Sequence, residues 1–231
     1  MRLSSGKISI MTKPAAVLWD MDGTIVDSEH YWLSSEQELA ASAGKIWTEQ
    51  DGINMIGMSL YDSSRLIKQK LDLELETDEI IDRLTNSVIS KLDRSLPWRP
   101  GAKELLKAVR DAGIPTALVT MSMRRNADAV VARMGFDAFD EIIAGDQVAH
   151  GKPHPEPYLK AAEKLGVNIE HCIAFEDSIS GLHSAEASGA IAIGVPNLVQ
   201  IPNRPGRILW PTLTGVTVTD LQEIYRERRM V

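Results

Sequence analysis

The chain has 231 residues, enough for one α/β core and a smaller accessory domain. Its 25 basic and 32 acidic side chains give a net charge of -7, which argues against a nucleic-acid partner. The single cysteine, Cys172, excludes an intramolecular disulfide and suits a reducing compartment. Residues 1–13 lack a long apolar region and no run reaches the length of a membrane span, so we expect a cytoplasmic protein.

The first predicted strand stops abruptly at two carboxylates. The apolar run from Ala15 to Trp19 does not alternate, which is typical of a strand buried on both faces of a parallel sheet. Asp20 and Asp22 follow directly, within the sequence DMDGT (residues 20–24). Two acids held this close are costly unless a cation or a shared proton relieves the repulsion. Taken alone, the motif is also compatible with an acidic turn.

The next segment, from about residue 30 to residue 97, shows helical patterns and no strand pattern. Its clearest helix is predicted to have Thr77 as its N-cap and to carry apolar residues on one face as far as Leu92. Such a block inserted after the first strand predicts a separate helical lid. Its connections to the rest of the chain, 27–29 and 96–101, would flex together as a hinge.

From about Pro100 onward, strand and helix patterns alternate, which predicts a parallel sheet with right-handed crossovers. The predicted strands are 116–119, 141–144, 172–175, 190–195 and an edge strand at 215–219. The predicted helices are 102–110, 126–134, 155–165 and 178–188.

The sequence therefore predicts an α/β fold with two domains. The predicted parts are an N-terminal extension at 1–13, a Rossmann-like parallel-sheet core at 14–29 and 98–231, and an all-helical cap domain at 30–97. In open α/β sheets, ligands bind beyond the carboxyl ends of the strands. We therefore expect the polar residues that follow three of these strands to converge at one edge of the sheet: Asp20, Asp22, Thr120, Glu176 and Asp177.

Four motifs occur in a fixed order: DMDGT at 20–24, TMS at 120–122, GKPHP at 151–155 and ED at 176–177. Together they resemble the haloacid dehalogenase (HAD) superfamily, specifically its capped members similar to β-phosphoglucomutase and small-molecule phosphatases. The resemblance covers residues 14–220. It implies an Mg²⁺-dependent phosphomonoester hydrolase that works through an aspartyl-phosphate.

The resemblance implies catalytic roles for residues of these motifs. Asp20 would be the nucleophile, and Asp22 would act first as the acid and then as the base. Lys152 and Thr120 would hold the phosphoryl oxygens. Taken singly, Lys152 is also compatible with a solvated loop lysine and Thr120 with a strand end or helix cap. Thr24 has a helix N-cap as an equal alternative.

The resemblance also implies a metal site, since Mg²⁺ prefers carboxylate oxygens and retained waters. Its ligands would be Asp20, the backbone carbonyl of Asp22, and Asp177. Glu176 would be a further ligand, either directly or through water.

The cap distinguishes the activities that share this core. Asp22 excludes the dehalogenase and phosphonatase branches, which resemble this motif but lack the acid. Mutases carry a Lys and an Arg in a cap loop where this chain has Ile56 and Leu60, and a His where it has Trp32. Hydrolysis is therefore favoured over the alternative, a β-phosphoglucomutase-like phosphomutase. A catalytically silent protein that binds a phosphoryl ligand is the alternative from another class.

The expected partner is a small phosphorylated metabolite, such as a sugar or polyol phosphate. Met121 and Ser122 would contact it from the core, and Trp32 and Met58 from the cap. The cap's own core is the alternative place for those two cap side chains. We expect neither a nucleic-acid nor a membrane partner, and a monomer or weak homodimer.

Overall fold

The computed structural model describes residues 13–92 and 96–229, so the predicted extension 1–13 lies outside it except for Lys13. Six strands form one parallel sheet. They are β1 (Ala16–Trp19), β2 (Thr116–Val119), β3 (Glu141–Ile143), β4 (Cys172–Glu176), β5 (Ile191–Gly194) and β6 (Ile208–Leu209). Their order across the sheet, β3-β2-β1-β4-β5-β6, puts β1 in the middle.

The described residues also form nine α-helices. They are α1 (Glu29–Ser42), α2 (Glu49–Ile53), α3 (Leu60–Leu71), α4 (Thr77–Leu92), α5 (Ala102–Asp111), α6 (Arg124–Ala132), α7 (Glu156–Leu165), α8 (Ile179–Ser188) and α9 (Val218–Arg229). The first four lie between β1 and α5, and we call α1–α4 the helical insertion. The predicted fold class, a parallel α/β sheet, is confirmed.

The central strand is buried on both faces, which explains its unbroken apolar sequence. All four residues of β1 are fully buried, and they alternate between two hydrophobic clusters. On one face Trp19 packs against Phe175 with ring centroids 4.7 Å apart. On the other, Leu18 joins a cluster that includes Tyr158. Each large side chain buried in this way stabilises the fold by about 1.5–3 kcal/mol, which makes β1 a rigid base for the residues that follow it.

The helical insertion has an apolar cluster of its own. Ile67 of α3 packs with Ile80 and Leu84 of α4, as the helical spacing of the sequence predicts. The last turns of α4, with Val88 and Leu92, join the cluster on one face of the sheet instead. The insertion therefore has a hydrophobic core of its own and also packs against the sheet through the end of α4.

The two connections of the insertion are joined to each other by backbone hydrogen bonds. The N–H of Asp27 donates to the carbonyl of Pro97 at 2.7 Å, and the N–H of Arg99 donates to the carbonyl of Ile25 at 2.8 Å. The outgoing and returning chains therefore lie side by side. In the described ranges, no helix combines the length and apolar character needed to cross a membrane.

The predicted edge strand at 215–219 is wrong. The sheet ends instead at β6, which pairs with β5 through Ile208 and Ile193. Residues from Val218 onward form α9, because the hydroxyl and amide of Thr217 both donate to Asp220 and fix the first turn. The helix then buries Leu221 and Tyr225, two residues that a strand pattern does not explain.

Candidate active site

Polar side chains from three strand ends meet at one edge of the sheet. Asp20 follows β1, Thr120 follows β2, and Glu176 and Asp177 stand at the end of β4. Because β1 and β4 pair in register, the carboxylates of Asp20, Glu176 and Asp177 come within 4.8 Å of one another. All four side chains are buried. The structure thus brings together the residues that the sequence analysis expects at this edge.

Lys152 reaches this cluster from the loop before α7. Its Nζ lies 2.6 Å from Asp20 Oδ1 and 2.6 Å from Glu176 Oε1, and it donates to the carbonyl of Val119 at 2.8 Å. The side chain is 2% exposed, so the solvated-loop alternative for Lys152 is wrong. Burial opposes its charge, but the neighbouring carboxylates of Asp20 and Glu176 raise the pKa of Lys152. The structure therefore holds a permanent ammonium beside Asp20.

Tyr158 is a member of the site that the sequence analysis missed. Its hydroxyl donates to Glu176 Oε1 at 2.6 Å, and its ring lies 5.3 Å from Lys152 Nζ. The side chain is fully buried, and burial together with the charge of Glu176 raises the pKa of Tyr158 well above its usual range. Tyr158 follows Lys152 by six positions, at the start of α7. No local pattern in the sequence marks this bond, because it joins a side chain of α7 to the last residue of β4.

The site holds more negative charge than Lys152 neutralises. Burial, helped by the charge of Glu176 and opposed by Lys152, raises the pKa of Asp20 to about 7. Burial and then the charge of Asp20 raise the pKa of Asp177 well above its usual range. A bound cation would relieve this repulsion. Three carboxylates within reach of one point are hard oxygen donors of the type that Mg²⁺ prefers.

Gly23 makes room for this cluster. Its φ of +81° is in the left-handed region that favours glycine, and a Cβ at this position would lie 2.0 Å from Asp177 Oδ2. The neighbouring Thr24 places its hydroxyl 3.5 Å from Asp177 Oδ1. The N-cap alternative for Thr24 is wrong, because the next helix, α1, has Ser28 at its N-cap.

Asp22 points to a different set of partners. Its Oδ1 accepts hydrogen bonds from Ser28 Oγ at 2.5 Å and from Trp32 Nε1 at 2.9 Å. Its Oδ2 accepts from Ser122 Oγ at 2.7 Å and from Thr120 Oγ1 at 3.4 Å. The sequence analysis missed Ser28 and predicted Trp32 as a substrate contact. Asp20 thus lies beside a lysine, whereas Asp22 is surrounded by neutral donors.

A cavity of about 310 Å³ opens above these residues, between the strand ends and the helical insertion. The four predicted substrate contacts all line it: Met121, Ser122, Trp32 and Met58. Met121 also accepts the N–H of Lys152 on its sulfur, which ties the lysine loop to the end of β2. Residues of the helical insertion therefore form the side of the cavity opposite the strand ends.

The insertion lines this cavity with acids. Glu29, Glu36 and Glu49 belong to it, and Lys152 is the one lysine or arginine among the described lining residues. Burial raises the pKa of Glu36 to about 7, and burial together with the charge of Asp22 raises the pKa of Glu29 to about 8. The cavity therefore has one fixed cation, Lys152, at its base, and acids on its wall that carry charge only when they are ionised.

A second group of metal-type side chains, His150, His154 and Glu156, lies beside the lysine loop. Several of its acceptor atoms already take part in hydrogen bonds within the loop. The carboxylate of Glu156 accepts the N–H groups of Ala149 and His150, and His154 Nδ1 accepts the N–H of Glu156. These bonds shape the loop that carries Lys152.

Comparisons with known proteins agree with this geometry. A family model described as haloacid dehalogenase-like hydrolase matches residues 14–189, and the chain belongs to this family. The phosphorylated carbohydrates phosphatase of Thermotoga maritima is 31% identical over 175 residues, covering 75% of this chain and 81% of the relative. Hexitol phosphatase B of Escherichia coli is 28% identical over 220 residues, covering 89% and 96%. The predicted family and hydrolase class are confirmed.

Solved structures show the same architecture. β-Phosphoglucomutase from Clostridium difficile superposes with a TM-score of 0.82 at 26% identity, covering 94% of this chain and 100% of that one. CbbY from Rhodobacter sphaeroides, in complex with xylulose-(1,5)bisphosphate, gives a TM-score of 0.78 at 25% identity, covering 87% and 96%. Both a mutase and a bisphosphate-binding protein therefore share this fold, so the activity has to be argued from the site.

Proposed function

We propose that this protein is an Mg²⁺-dependent phosphatase that hydrolyses a monophosphate ester of a sugar or polyol through an aspartyl-phosphate. The observation that carries the proposal is the buried pair of Asp20 and Lys152, 2.6 Å apart, at the base of the cavity. A carboxylate fixed beside an ammonium is suited to attack a phosphorus atom whose oxygens the same ammonium holds.

The proposed reaction has two steps. A carboxylate oxygen of Asp20 bonds to phosphorus while the bond from phosphorus to the ester oxygen breaks, and Asp22 gives its proton to the departing alkoxide. Asp22 then takes a proton from a water, whose oxygen bonds to phosphorus as the Asp20–phosphorus bond breaks. Lys152 and the hydroxyls of Thr120 and Ser122 hold the phosphoryl oxygens in both steps.

The proposed Mg²⁺ would be held by Asp20, Asp177 and the backbone carbonyl of Asp22. Oε1 of Glu176 already accepts two hydrogen bonds of 2.6 Å, so we place Glu176 at the ion through a water. The ion would neutralise charge so that one anion can attack another. Gly23 supports this assignment, because it leaves space for the carboxylate of Asp177.

The cavity favours esters whose alcohol carries hydroxyls and no second anion. Its wall contains the acids of the insertion, and Ile56 and Leu60 line it where mutases carry cations. Two relatives with phosphatase names, one for phosphorylated carbohydrates and one for hexitol, support a sugar or polyol phosphate. A far phosphate would find no clamp among the described lining residues, so we place hydrolysis ahead of phosphomutase activity.

The test is phosphate release from a panel of sugar and polyol monophosphates, with Mg²⁺ and with chelator, for the wild-type chain and for Asp20→Asn. Asp128→Asn, an exposed carboxylate paired with Arg124, is the matched control. We expect release that requires Mg²⁺, is lost in Asp20→Asn and is kept in Asp128→Asn. Isomerised sugar phosphate without release would favour the mutase. Saturable binding without turnover would favour the silent binding protein.

We also propose the two-domain division 14–29 and 98–231 against 30–97, a cytoplasmic location, and a monomeric or weakly dimeric state. Light scattering during size-exclusion chromatography tests the last of these. A stable dimer at low micromolar concentration would contradict it.

A further inference from the structure

We propose that Trp32 is a positioning residue for Asp22. Together with Ser28 it anchors Oδ1 of the Asp22 carboxyl group and leaves Oδ2 as the oxygen that gives and takes the proton. This inference rests on the proposed function and specifies which atom performs its acid and base steps.

The two oxygens of Asp22 receive donors from two different parts of the molecule. Ser28 Oγ and Trp32 Nε1, at 2.5 Å and 2.9 Å from Oδ1, belong to the start of α1 in the helical insertion. Ser122 Oγ and Thr120 Oγ1, at 2.7 Å and 3.4 Å from Oδ2, follow β2 in the core. One oxygen of Asp22 is thus held by the insertion and the other by the core.

The indole donor on Oδ1 of Asp22 cannot rotate to become an acceptor. An indole N–H donates and never accepts, so Trp32 requires a lone pair on Oδ1. Ser28 occupies the second lone-pair site of the same oxygen. With the donor-only indole on one lone pair and the buried Ser28 on the other, Oδ1 is the anchored oxygen of Asp22.

Ser28 provides a second observation in favour of this assignment. It stands at the N-cap of α1, where a serine hydroxyl ordinarily accepts a backbone N–H and stabilises the helix by about 1 kcal/mol. Here it makes no such capping bond, and the hydroxyl donates to Asp22 instead. The helix start is therefore arranged around Asp22 at the expense of its own cap.

The donors on Oδ2 of Asp22 can turn from this oxygen to a bound phosphoryl group. Ser122 and Thr120 carry hydroxyls that rotate, and they line the cavity beside Lys152. When a phosphoryl group enters, these hydroxyls can turn to its oxygens and free Oδ2. Oδ2 then carries the proton to the departing ester oxygen, and in the second step it takes a proton from the attacking water.

The test compares two esters in single-turnover experiments on the full chain: a polyol phosphate and p-nitrophenyl phosphate. The alkoxide of the polyol needs a proton to depart, whereas p-nitrophenolate leaves as a stable anion. We expect Trp32→Phe to slow alcohol release from the polyol ester about 10-fold and p-nitrophenolate release by less than about 2-fold. KM should change by less than about 2-fold, since the indole N–H is committed to Asp22.

Two further variants separate positioning from packing. Trp32→His keeps a ring N–H about as far from Cβ as in tryptophan, and should recover most of the rate with the polyol ester. Trp47→Phe removes another indole N–H from the insertion, the one that donates to Glu36 at 2.8 Å, and should leave both rates unchanged. Thermal unfolding checks that each variant is folded, and Ser28→Ala repeats the comparison if Trp32→Phe is not.

Equal slowing of both esters in Trp32→Phe, or no slowing of either, would overturn the inference while leaving the proposed function intact. A loss in Trp47→Phe equal to that in Trp32→Phe would overturn it as well. A wild-type chain that releases phosphate from neither ester would instead overturn the proposed function, and this inference with it.

Discussion

The protein buries carboxylates in two regions, and their partners differ between the two. At the strand ends, Asp20 and Glu176 share the ammonium of Lys152, and Tyr158 adds a short hydrogen bond. In the helical insertion, buried Glu36 has one neutral donor, the indole of Trp47. The difference is that two of the carboxylates at the strand ends have an ammonium as their partner, whereas Glu36 has a neutral indole. Burial without an opposite charge raises the pKa of Glu36 to about 7, so this acid of the cavity wall is partly protonated near neutral pH.

The largest expected effect is that of Lys152→Met on the strand ends. The change removes the ammonium that would hold the phosphoryl group, and kcat should fall about 10³-fold. It also leaves Asp20 and Glu176 buried without their partner, at a cost of about 3 kcal/mol in the free energy of unfolding. Steady-state kinetics and denaturant unfolding measure the two effects.

The double variant Lys152→Met with Glu176→Gln sharpens this prediction. It should recover much of the lost stability, because one buried charge is removed, and none of the lost activity. A single Lys152→Met variant as stable as the wild type would contradict the comparison.

Gly23→Ala should be next in size. Its Cβ would meet Asp177 Oδ2 at 2.0 Å, so the carboxylate must move, and we expect a loss of activity of about 10²-fold with weaker Mg²⁺ binding. Gly113→Ala is the matched control, since Gly113 also has a positive φ, of 63°, and its Cβ would meet nothing within 4 Å. Titration of activity with Mg²⁺ checks the prediction. Equal losses of activity in the two variants would show that backbone strain, and not the contact with Asp177, causes the effect of Gly23→Ala.

Glu36→Gln tests the cavity wall through the pH dependence of stability. Burial raises the pKa of Glu36 from 4.5 to about 7, so the folded state holds this proton more tightly than the unfolded chain. Ionisation therefore costs stability as the pH rises between these values. Glutamine removes that cost and should stabilise the protein by about 1–3 kcal/mol above pH 7, with little effect near pH 4.5.

Glu38→Gln is the matched control for that experiment. Glu38 lies two positions away on α1, and its hydrogen bond to Lys91 lowers its pKa. Its ionised form favours folding, so the glutamine variant should lose a little stability at neutral pH. Urea unfolding at several pH values measures both variants, and stabilisation of the same sign in both would contradict the assignment.

The smallest expected effect concerns substrate choice. Glu49→Lys adds a cation to the cavity wall and should raise kcat/KM for a carboxylated phosphate ester, relative to a neutral polyol ester, by about 3- to 10-fold. Glu74→Lys, an exposed position of the insertion outside this cavity, should leave the ratio unchanged. An unchanged ratio in Glu49→Lys would show that the wall does not select by charge.

The residues at the strand ends could be predicted from the sequence, whereas many of the contacts around the cavity could not. Strands buried on both faces appear as unbroken apolar runs, and Asp20 and Glu176 stand where those runs stop. The bond from Tyr158 to Glu176 joins residues 18 positions apart, and no local pattern marks it. The short strand β6 has two half-buried residues and no periodicity. The Tyr158–Glu176 bond and the strand β6 therefore escaped prediction, whereas Lys152 was found because it belongs to a motif.

The side-by-side exit and return of the helical insertion has a consequence for how such proteins diversify. Asp27 bonds to Pro97, and Arg99 bonds to Ile25, so the sheet meets the insertion as though it were one short loop. Segments whose ends are close together can be lengthened, shortened or replaced with little disturbance to the host fold. The catalytic edge can thus be inherited unchanged while the substrate chamber above it is rebuilt, which separates the evolution of chemistry from the evolution of specificity.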